Sequence, residues 1–383
     1  MIYFDNAATT SPKPKQVLQA VNNALIKLSA NPGRSGHAMS EEAAMMVYGA
    51  RQKAATLFGA PSAESVIFTP NCTASINYVL KGLLSPRDRV LTSSLEHNAV
   101  VRPLSALKTH MISHEVFEVD FADKEVTLRS FLNTVRPDTK LVICTHASNV
   151  TGTVLPIAQI GKYCKENGIL FAVDAAQSAG VIDIDMERDS IDYLCIAPHK
   201  GLYAPMGTGI LIIAGQAPTQ IIEGGTGTES VNLNQPTDAP ERYESGTVNV
   251  PGIAGISAGI DFVNSKGVNK IHAHETKILQ TVYRGLSNIS GIRLYTPEPS
   301  MENAPVLSFN VKDAHSVEVA NKLSQRGIAV RAGLHCAPFA HKRLGTISGG
   351  TVRVAPSAFT SESDAVRLVE AVRQIANGTK TVF

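Results

Sequence analysis

Five short apolar runs in the chain end in residues able to do chemistry: Asn71-Cys72-Thr73, Glu96-His97-Asn98, 146–149 (His-Ala-Ser-Asn), 174–177 (Asp-Ala-Ala-Gln) and His199-Lys200. In parallel sheets, ligands bind beyond the carboxyl ends of the strands. One such end reads as a turn; five polar ends together read as a site. Asp174 follows an apolar run, where a carboxylate needs a cation, a hydrogen-bond donor or a metal to stay charged. Lys200 also follows one. Near an apolar floor its amine can lose its proton and act as a nucleophile; in the open it would snorkel to water. The 69–75 segment, Thr-Pro-Asn-Cys-Thr-Ala-Ser, passes from strand into helix. Its N–H groups and hydroxyls either cradle an anion or are capped by Asn71 or Thr73.

Apolar runs at 66–69, 89–92, 112–119, 141–144, 170–173, 193–196 and 210–213 predict strands. They are too continuous for half-exposed hairpins. Helical spacing at 75–84, from Val100, and through Ile157, Ile160 and Tyr163 to Gly168 predicts helices between them, hence a mostly parallel, doubly wound α/β sheet. After Gly255 the character changes. Helices at 256–263, 271–286 and 316–325, β segments around 306–311, 328–331 and 352–354, and a terminal helix at 361–376 capped by Ser361 predict a smaller α+β domain. The expected division is a large domain over 15–255 and a small C-terminal domain over 256–383, with residues 1–14 packing near the small one.

Thirty-five Lys and Arg against 33 Asp and Glu leave a formal charge of +2. That balance offers no polybasic surface for nucleic acid or an anionic membrane. A hydrophobic content of 44% supports a large core and excludes wholesale disorder. The five cysteines show no CxxC pair and no zinc-like spacing, so neither a disulfide framework nor a metal is expected. The opening Met1-Ile2-Tyr3-Phe4-Asp5 lacks a basic n-region. Glycines and prolines break the uncharged 201–222 stretch, which reads as a buried strand with its loops. A soluble, cytoplasmic protein is expected.

Taken in order, several segments resemble the class V aminotransferases of fold type I, which use pyridoxal phosphate (PLP). They are Tyr3-Phe4-Asp5-Asn6-Ala7-Ala8-Thr9-Thr10, Asn149-Val150-Thr151-Gly152, Val173-Asp174-Ala175-Ala176-Gln177, His199-Lys200 and Arg331-Ala332-Gly333-Leu334-His335-Cys336. The likeness is greatest to the cysteine desulfurase and selenocysteine lyase branch and spans nearly the whole chain. It implies that Lys200 holds PLP as a Schiff base and shuttles protons at the substrate Cα, while Asp174 keeps the pyridinium nitrogen protonated. His97 would stack on the ring and serve as acid or base. Gln177 would bond the ring hydroxyl, and Asn149 would orient the ring or the substrate carboxylate. Thr73, the Ala74 backbone and His199 would bind the phosphate. Thr247, in Glu244-Ser245-Gly246-Thr247, would reach it from a second subunit, implying a homodimer with shared sites. Arg353 would grip the substrate carboxylate in a bidentate fork, with Arg331 as a second anion contact. His37, in Arg34-Ser35-Gly36-His37, would lie on the substrate side, a plain turn being the alternative. Ala197 departs from the pattern: relatives usually carry a phosphate-binding Ser or Thr there.

The same resemblance implies a reaction: L-cysteine becomes L-alanine, and its sulfur passes to Cys336 as a persulfide and on to a protein acceptor. Such a thiol must be exposed on a loop. Cys336 lies beside His335 and just before Pro338, whereas Cys72, Cys144, Cys164 and Cys195 fall within or beside apolar segments. The alternatives are a selenocysteine lyase acting on L-selenocysteine, a C–S lyase, or another class V enzyme. A metal-binding protein built on His97, His146 and His199 lacks ligand spacing. The Gly224-Gly225-Thr226-Gly227-Thr228 loop lacks the lysine of a P-loop and reads as part of a dimer interface or site rim.

Overall fold

The computed structural model describes residues 1–378 other than Arg34 and Glu229. The chain opens on β1 (Ile2–Tyr3), α1 (Lys15–Lys27) and α2 (Ala38–Phe58). An alternation follows: β2 (Val66–Thr69), α3 (Cys72–Leu83), β3 (Arg89–Ser93), α4 (Asn98–Leu107), β4 (Ser113–Phe117), α5 (Lys124–Thr134), β5 (Thr139–Thr145), α6 (Ile157–Glu166), β6 (Leu170–Asp174), β7 (Tyr193–Ile196) and β8 (Gly209–Ile213). The remainder is α7 (Val250–Lys266), α8 (Val268–Ser287), β9 (Ile292–Leu294), β10 (Leu307–Val311), α9 (Ser316–Gln325), β11 (Ile328–Ala329), β12 (Arg331–Gly333), α10 (Pro338–Leu344), β13 (Thr351–Val354) and α11 (Glu362–Gly378).

Successive side chains of a strand point to opposite faces, and the large sheet obeys this with apolar residues on both. Val66, Phe68, Leu91, Val142, Phe171, Val173, Leu194 and Ile212 join the core made with α2, α5, α6 and α7. Their neighbours Ile67, Val90, Leu141, Ala172, Tyr193 and Leu211 join the core made with α3 and α4. Burial on both faces is why the strands read as unbroken apolar runs. The strand order is β2-β8-β7-β6-β5-β3-β4. Only β8 runs against the others, antiparallel to both β2 and β7. No helix intervenes between β7 and β8; the β6–β7 connection also lacks one, yet its longer span brings β7 back parallel to β6. The expected mostly parallel sheet stands, and Lys200 lies in the connection between β7 and the reversed β8.

A second sheet, β12-β13-β10-β9, is antiparallel throughout. It shares a core with α8, α9 and α11 that also takes in Ile2 and Phe4, and β1 pairs with β11. The large-sheet core runs through Ile253, Ile256, Ile260 and Val263 of α7 to Ile271. The second core begins at Ile278. The change of core therefore falls inside α8, beyond Gly255. Ala337 and Ala340, late in the chain, also pack in the large-sheet core, so the segment after Cys336 returns to that unit. Among the described residues no helix is long and apolar enough to cross a membrane.

Helix α7 comes so close to the turn after Lys200 that a Cβ on Gly259 would lie 1.9 Å from the Leu202 carbonyl oxygen. Backbone cannot yield there as a flexible side chain could. Gly259→Ala is expected to cost about 1–3 kcal/mol by overpacking, read as a lower denaturant midpoint with an unchanged slope.

Candidate active site

A cavity of about 230 Å³ opens at the carboxyl ends of β2, β3, β5, β6 and β7, and all five polar strand ends contribute to its wall. Its lining includes Asn71, Cys72, Thr73, His97, Asn149, Asp174, Gln177, His199 and Lys200; Ala7, Ala8, Arg331, His335 and Arg353 enter from the other side. Thr247 and His37 are absent from this wall. Thr247 is exposed and lines a neighbouring cavity that also includes Ala74. His37 is exposed and caps α2, its Nδ1 accepting from the Ser40 N–H at 3.3 Å. Within one chain His37 therefore serves as a helix cap. Arg34 lies outside the described residues.

Asp174 is 3% exposed. Its Oδ1 accepts from the Ala176 N–H at 2.9 Å and from the Cys72 thiol at 3.7 Å. Its Oδ2 has no hydrogen-bond partner among the described residues. The Lys200 Nζ likewise has no partner among them. Burial lowers the lysine's pKa, and the Asp174 charge opposes that shift. His97 caps α4 by accepting the Ala99 N–H on Nδ1 at 3.0 Å. The neutral ring must then carry its proton on Nε2, which is a donor and not a base while the cap holds. Burial also depresses the His97 pKa, against the pull of Asp174.

At the start of α3, Asn71 takes the Ala74 N–H on its side-chain oxygen at 2.9 Å. The free donors of that turn are therefore the first N–H groups of the helix and the Thr73 hydroxyl, and the Ala74 N–H is already engaged. Burial, aided by the nearby Lys200 and Lys13 charges, takes the His199 pKa down to about 4, leaving a neutral ring whose Nδ1 is buried without a partner. Gln177 donates to the Ala7 carbonyl at 3.0 Å. Ala197 forms part of the wall.

Arg353 and Arg331 face each other across β13 and β12. Arg353 is 1% exposed. It donates to the Asn149 carbonyl at 3.1 Å and to Asp5 Oδ1 at 3.0 Å, while its Nε is buried without a partner. Burial brings its pKa down to about 10, with Asp5 resisting. Beyond this pair, His335 and Cys336 both adopt the left-handed conformation, at φ 48° and 56°. Their carbonyls are held at 2.7 Å each, His335 by the Asn149 side chain and Cys336 by the Asn98 N–H. Cys336 is exposed; the other four cysteines are buried. Burial takes Cys164 up to about 12 and raises Cys72, Cys144 and Cys195 well above the usual thiol range.

Asp5 and Glu96 are functional neighbours that the residue pattern alone left without roles. Asp5 was visible in the Tyr3-Phe4-Asp5-Asn6 opening, but its partner stands 348 positions away. Glu96 lies fully buried beside His97. One oxygen accepts from the Ser93 hydroxyl and from the Thr145 N–H at 2.9 Å, and the other has no partner.

The residues present fit PLP. The cavity offers an unpaired amine, a buried carboxylate with one free oxygen, and a helix N-terminus with free donors, the requirements of an aldehyde, a ring nitrogen and a phosphate. No group of three or more metal-ligating side chains occurs among the described residues.

The site and its doubly wound sheet define a member of a large enzyme class. The class-V aminotransferase family model matches residues 2–368, and the chain belongs to that family. A probable cysteine desulfurase of Pyrococcus abyssi is 34% identical, covering 94% of this chain and 90% of that one. The apo cysteine desulfurase of Thermococcus onnurineus superposes with a TM-score of 0.92 at 32% identity, covering 98% and 95% of the two chains. The cysteine desulfurase CsdA of Escherichia coli gives 0.88 at 26% identity, covering 98% and 94%.

Burial, with the Asp174 charge adding to it, lifts the Glu96 pKa to about 8. An unfolded glutamate titrates near 4.3, so between these values the folded state binds more protons and stability falls as pH rises. Glu96→Gln, which mimics the protonated acid, should therefore unfold at a denaturant concentration similar to wild type at pH 5. It should be the more stable of the two at pH 9.

Proposed function

We propose that the chain is a PLP-dependent cysteine desulfurase, working as a homodimer and converting L-cysteine to L-alanine with transfer of sulfur to Cys336. The observation that carries this reading is the placement of Cys336, the one exposed thiol of five, on a turn tied to the cavity through Asn98 and Asn149. A lyase that merely expels sulfur needs no such thiol.

Lys200 would hold the cofactor through its amine, and Asp174 Oδ2 would accept the ring N–H. Gln177 would approach the ring hydroxyl, and His97 would stack on the ring while donating through Nε2. The α3 N-terminus, Thr73 and neutral His199 would receive the phosphate, joined by Thr247 from a second subunit. That assignment agrees with the exposure of Thr247, Val231 and Leu233 in one chain. When bound, PLP supplies an electron sink beside the substrate Cα.

The chain's own groups do the rest. Arg353 offers its Nε–H and remaining donors to the substrate carboxylate, with Arg331 beside it. Lys200, its pKa lowered by burial, moves the proton at Cα. The Cys336 thiolate attacks the substrate sulfur; the S–S bond forms as the Cβ–S bond breaks, and the electron pair stays with Cβ. A proton at Cβ completes alanine, leaving a persulfide for a protein thiol acceptor. A thiol used this way suits a reducing compartment such as the cytoplasm.

Mass spectrometry after incubation with L-cysteine should find Cys336 heavier by one sulfur while alanine accumulates. Cys336→Ser should keep the yellow of bound cofactor and lose sulfur transfer. Pyruvate and ammonia in place of alanine would identify a C–S lyase instead. Lys200→Ala should lose the colour, and retained colour would place the cofactor on another amine. Arg353→Lys should raise KM for cysteine by roughly tenfold or more, the loss of one charged hydrogen bond. An unaltered KM would remove Arg353 from the carboxylate site.

A further inference from the structure

The carbonyl oxygen of His199 gathers four donors from the N-terminal segment. They are the Thr10 N–H, the Thr9 hydroxyl and the Thr10 hydroxyl, each at 3.1 Å, and the Lys13 Nζ at 2.9 Å. A carbonyl has two lone pairs, so four donors cannot all be served at once. The Thr10 hydroxyl has a second acceptor, the Lys200 carbonyl at 3.0 Å, and itself accepts from Lys13 Nζ at 2.9 Å. One arrangement serves three of these donors and leaves the Thr9 hydroxyl over. Lys13 and the Thr10 N–H bind the His199 carbonyl, and the Thr10 hydroxyl binds the Lys200 carbonyl. The carbonyls flanking the Lys200 residue are thereby held by a segment 186 positions away.

Lys13 is only partly exposed and forms no ion pair among the described residues. Its ammonium is satisfied by a hydroxyl and a peptide carbonyl alone. A desolvated cation without a counter-ion costs stability that an apolar side chain of the same length would not. What Lys13 does in that place is hold the peptide next to the reactive amine.

We propose that Lys13, acting with Thr10, is the positioning residue of Lys200, fixing the 199–200 peptide so that the amine stands in the cavity with Asp174. The proposal rests on the reading of Lys200 as the cofactor-holding amine. Displacing a reacting group by about 1 Å can slow a reaction by two orders of magnitude, so the hold matters for rate more than for substrate affinity. The titratable group of the β7–β8 connection that the Lys13 charge affects is His199, and no charged neighbour among the described residues shifts Lys13 itself. The Lys13 charge helps keep the His199 ring neutral.

The test uses the full chain freed of cofactor, with PLP added back and capture followed by absorbance. Borohydride reduction and peptide mass analysis then identify the labelled lysine. Lys13→Met should capture PLP about tenfold more slowly than wild type at pH 7, the scale of one charged hydrogen bond. Lys13→Arg, which keeps charge and donors, should recover most of that rate. The wild-type advantage over Lys13→Met should shrink as pH passes about 8, where burial lets Lys13 give up its proton. In turnover, kcat should fall while KM for cysteine holds. Thr10→Val, a milder change that keeps the ammonium, should also slow capture. Wild-type capture by Lys13→Met, or by Thr10→Val should Lys13→Met not fold, with the label still on Lys200, would overturn the positioning role and leave the proposed function standing. A label on another lysine in the wild-type chain would overturn the underlying reading itself.

Discussion

The site depends on keeping a lysine amine in a buried cavity with a single carboxylate to oppose its desolvation. Burial disfavours the charged form of Lys200, Asp174 favours it, and Arg353 and Arg331 disfavour it again. Lys200, Arg331 and Arg353 thus face Asp174 and, on the far side of Arg353, Asp5. The two arginines in the wall suit a ligand with an anionic end. The same environment keeps the imidazoles neutral. His335 is taken down to about 2, by burial first and then by Arg353. Neutral rings can contribute hydrogen bonds and stacking without adding further cations.

A second constraint follows from building the wall from two cores. Asn149, at the end of a β5 loop, donates its side chain to His335 and lends its carbonyl to Arg353. One residue of the large sheet thereby fixes both the arginine and the turn bearing Cys336. Two consecutive left-handed residues without glycine cost roughly 1–2 kcal/mol each, and the hydrogen bonds to both carbonyls keep them so. In this turn the His335 side chain is buried and that of Cys336 exposed.

Much of the architecture was legible because strands buried on both faces leave apolar runs of four or five residues between turn signals, too short for helices. The five polar strand ends then located the cavity. Other features were not legible, for physical reasons. Helix α2 is rich in alanine, and its apolar residues are spread too evenly to show a period. The reversal of β8 leaves no trace in its apolar run, which reads the same in either direction. The Asp5–Arg353 pair joins the two ends of the chain, and the hold of Lys13 on the His199 carbonyl runs through backbone acceptors. Neither leaves a local spacing to read. The tautomer of His97 came only with the cap that fixes it.

Selectivity among the thiols is the last consequence of the buried carboxylate. Cys72 lines the same cavity as Lys200 and would compete with Cys336 if it ionised. Burial raises its pKa, and the charge of Asp174 raises it further. The thiol therefore remains a hydrogen-bond donor to the carboxylate that suppresses it. Cys195, opposite Asp174 in the adjacent strand, is held protonated by the same two effects. Reactivity follows the thiolate, so the carboxylate in the Lys200 cavity also silences the thiols nearest to it. Of the five thiols, Cys336 alone is exposed and escapes that burial.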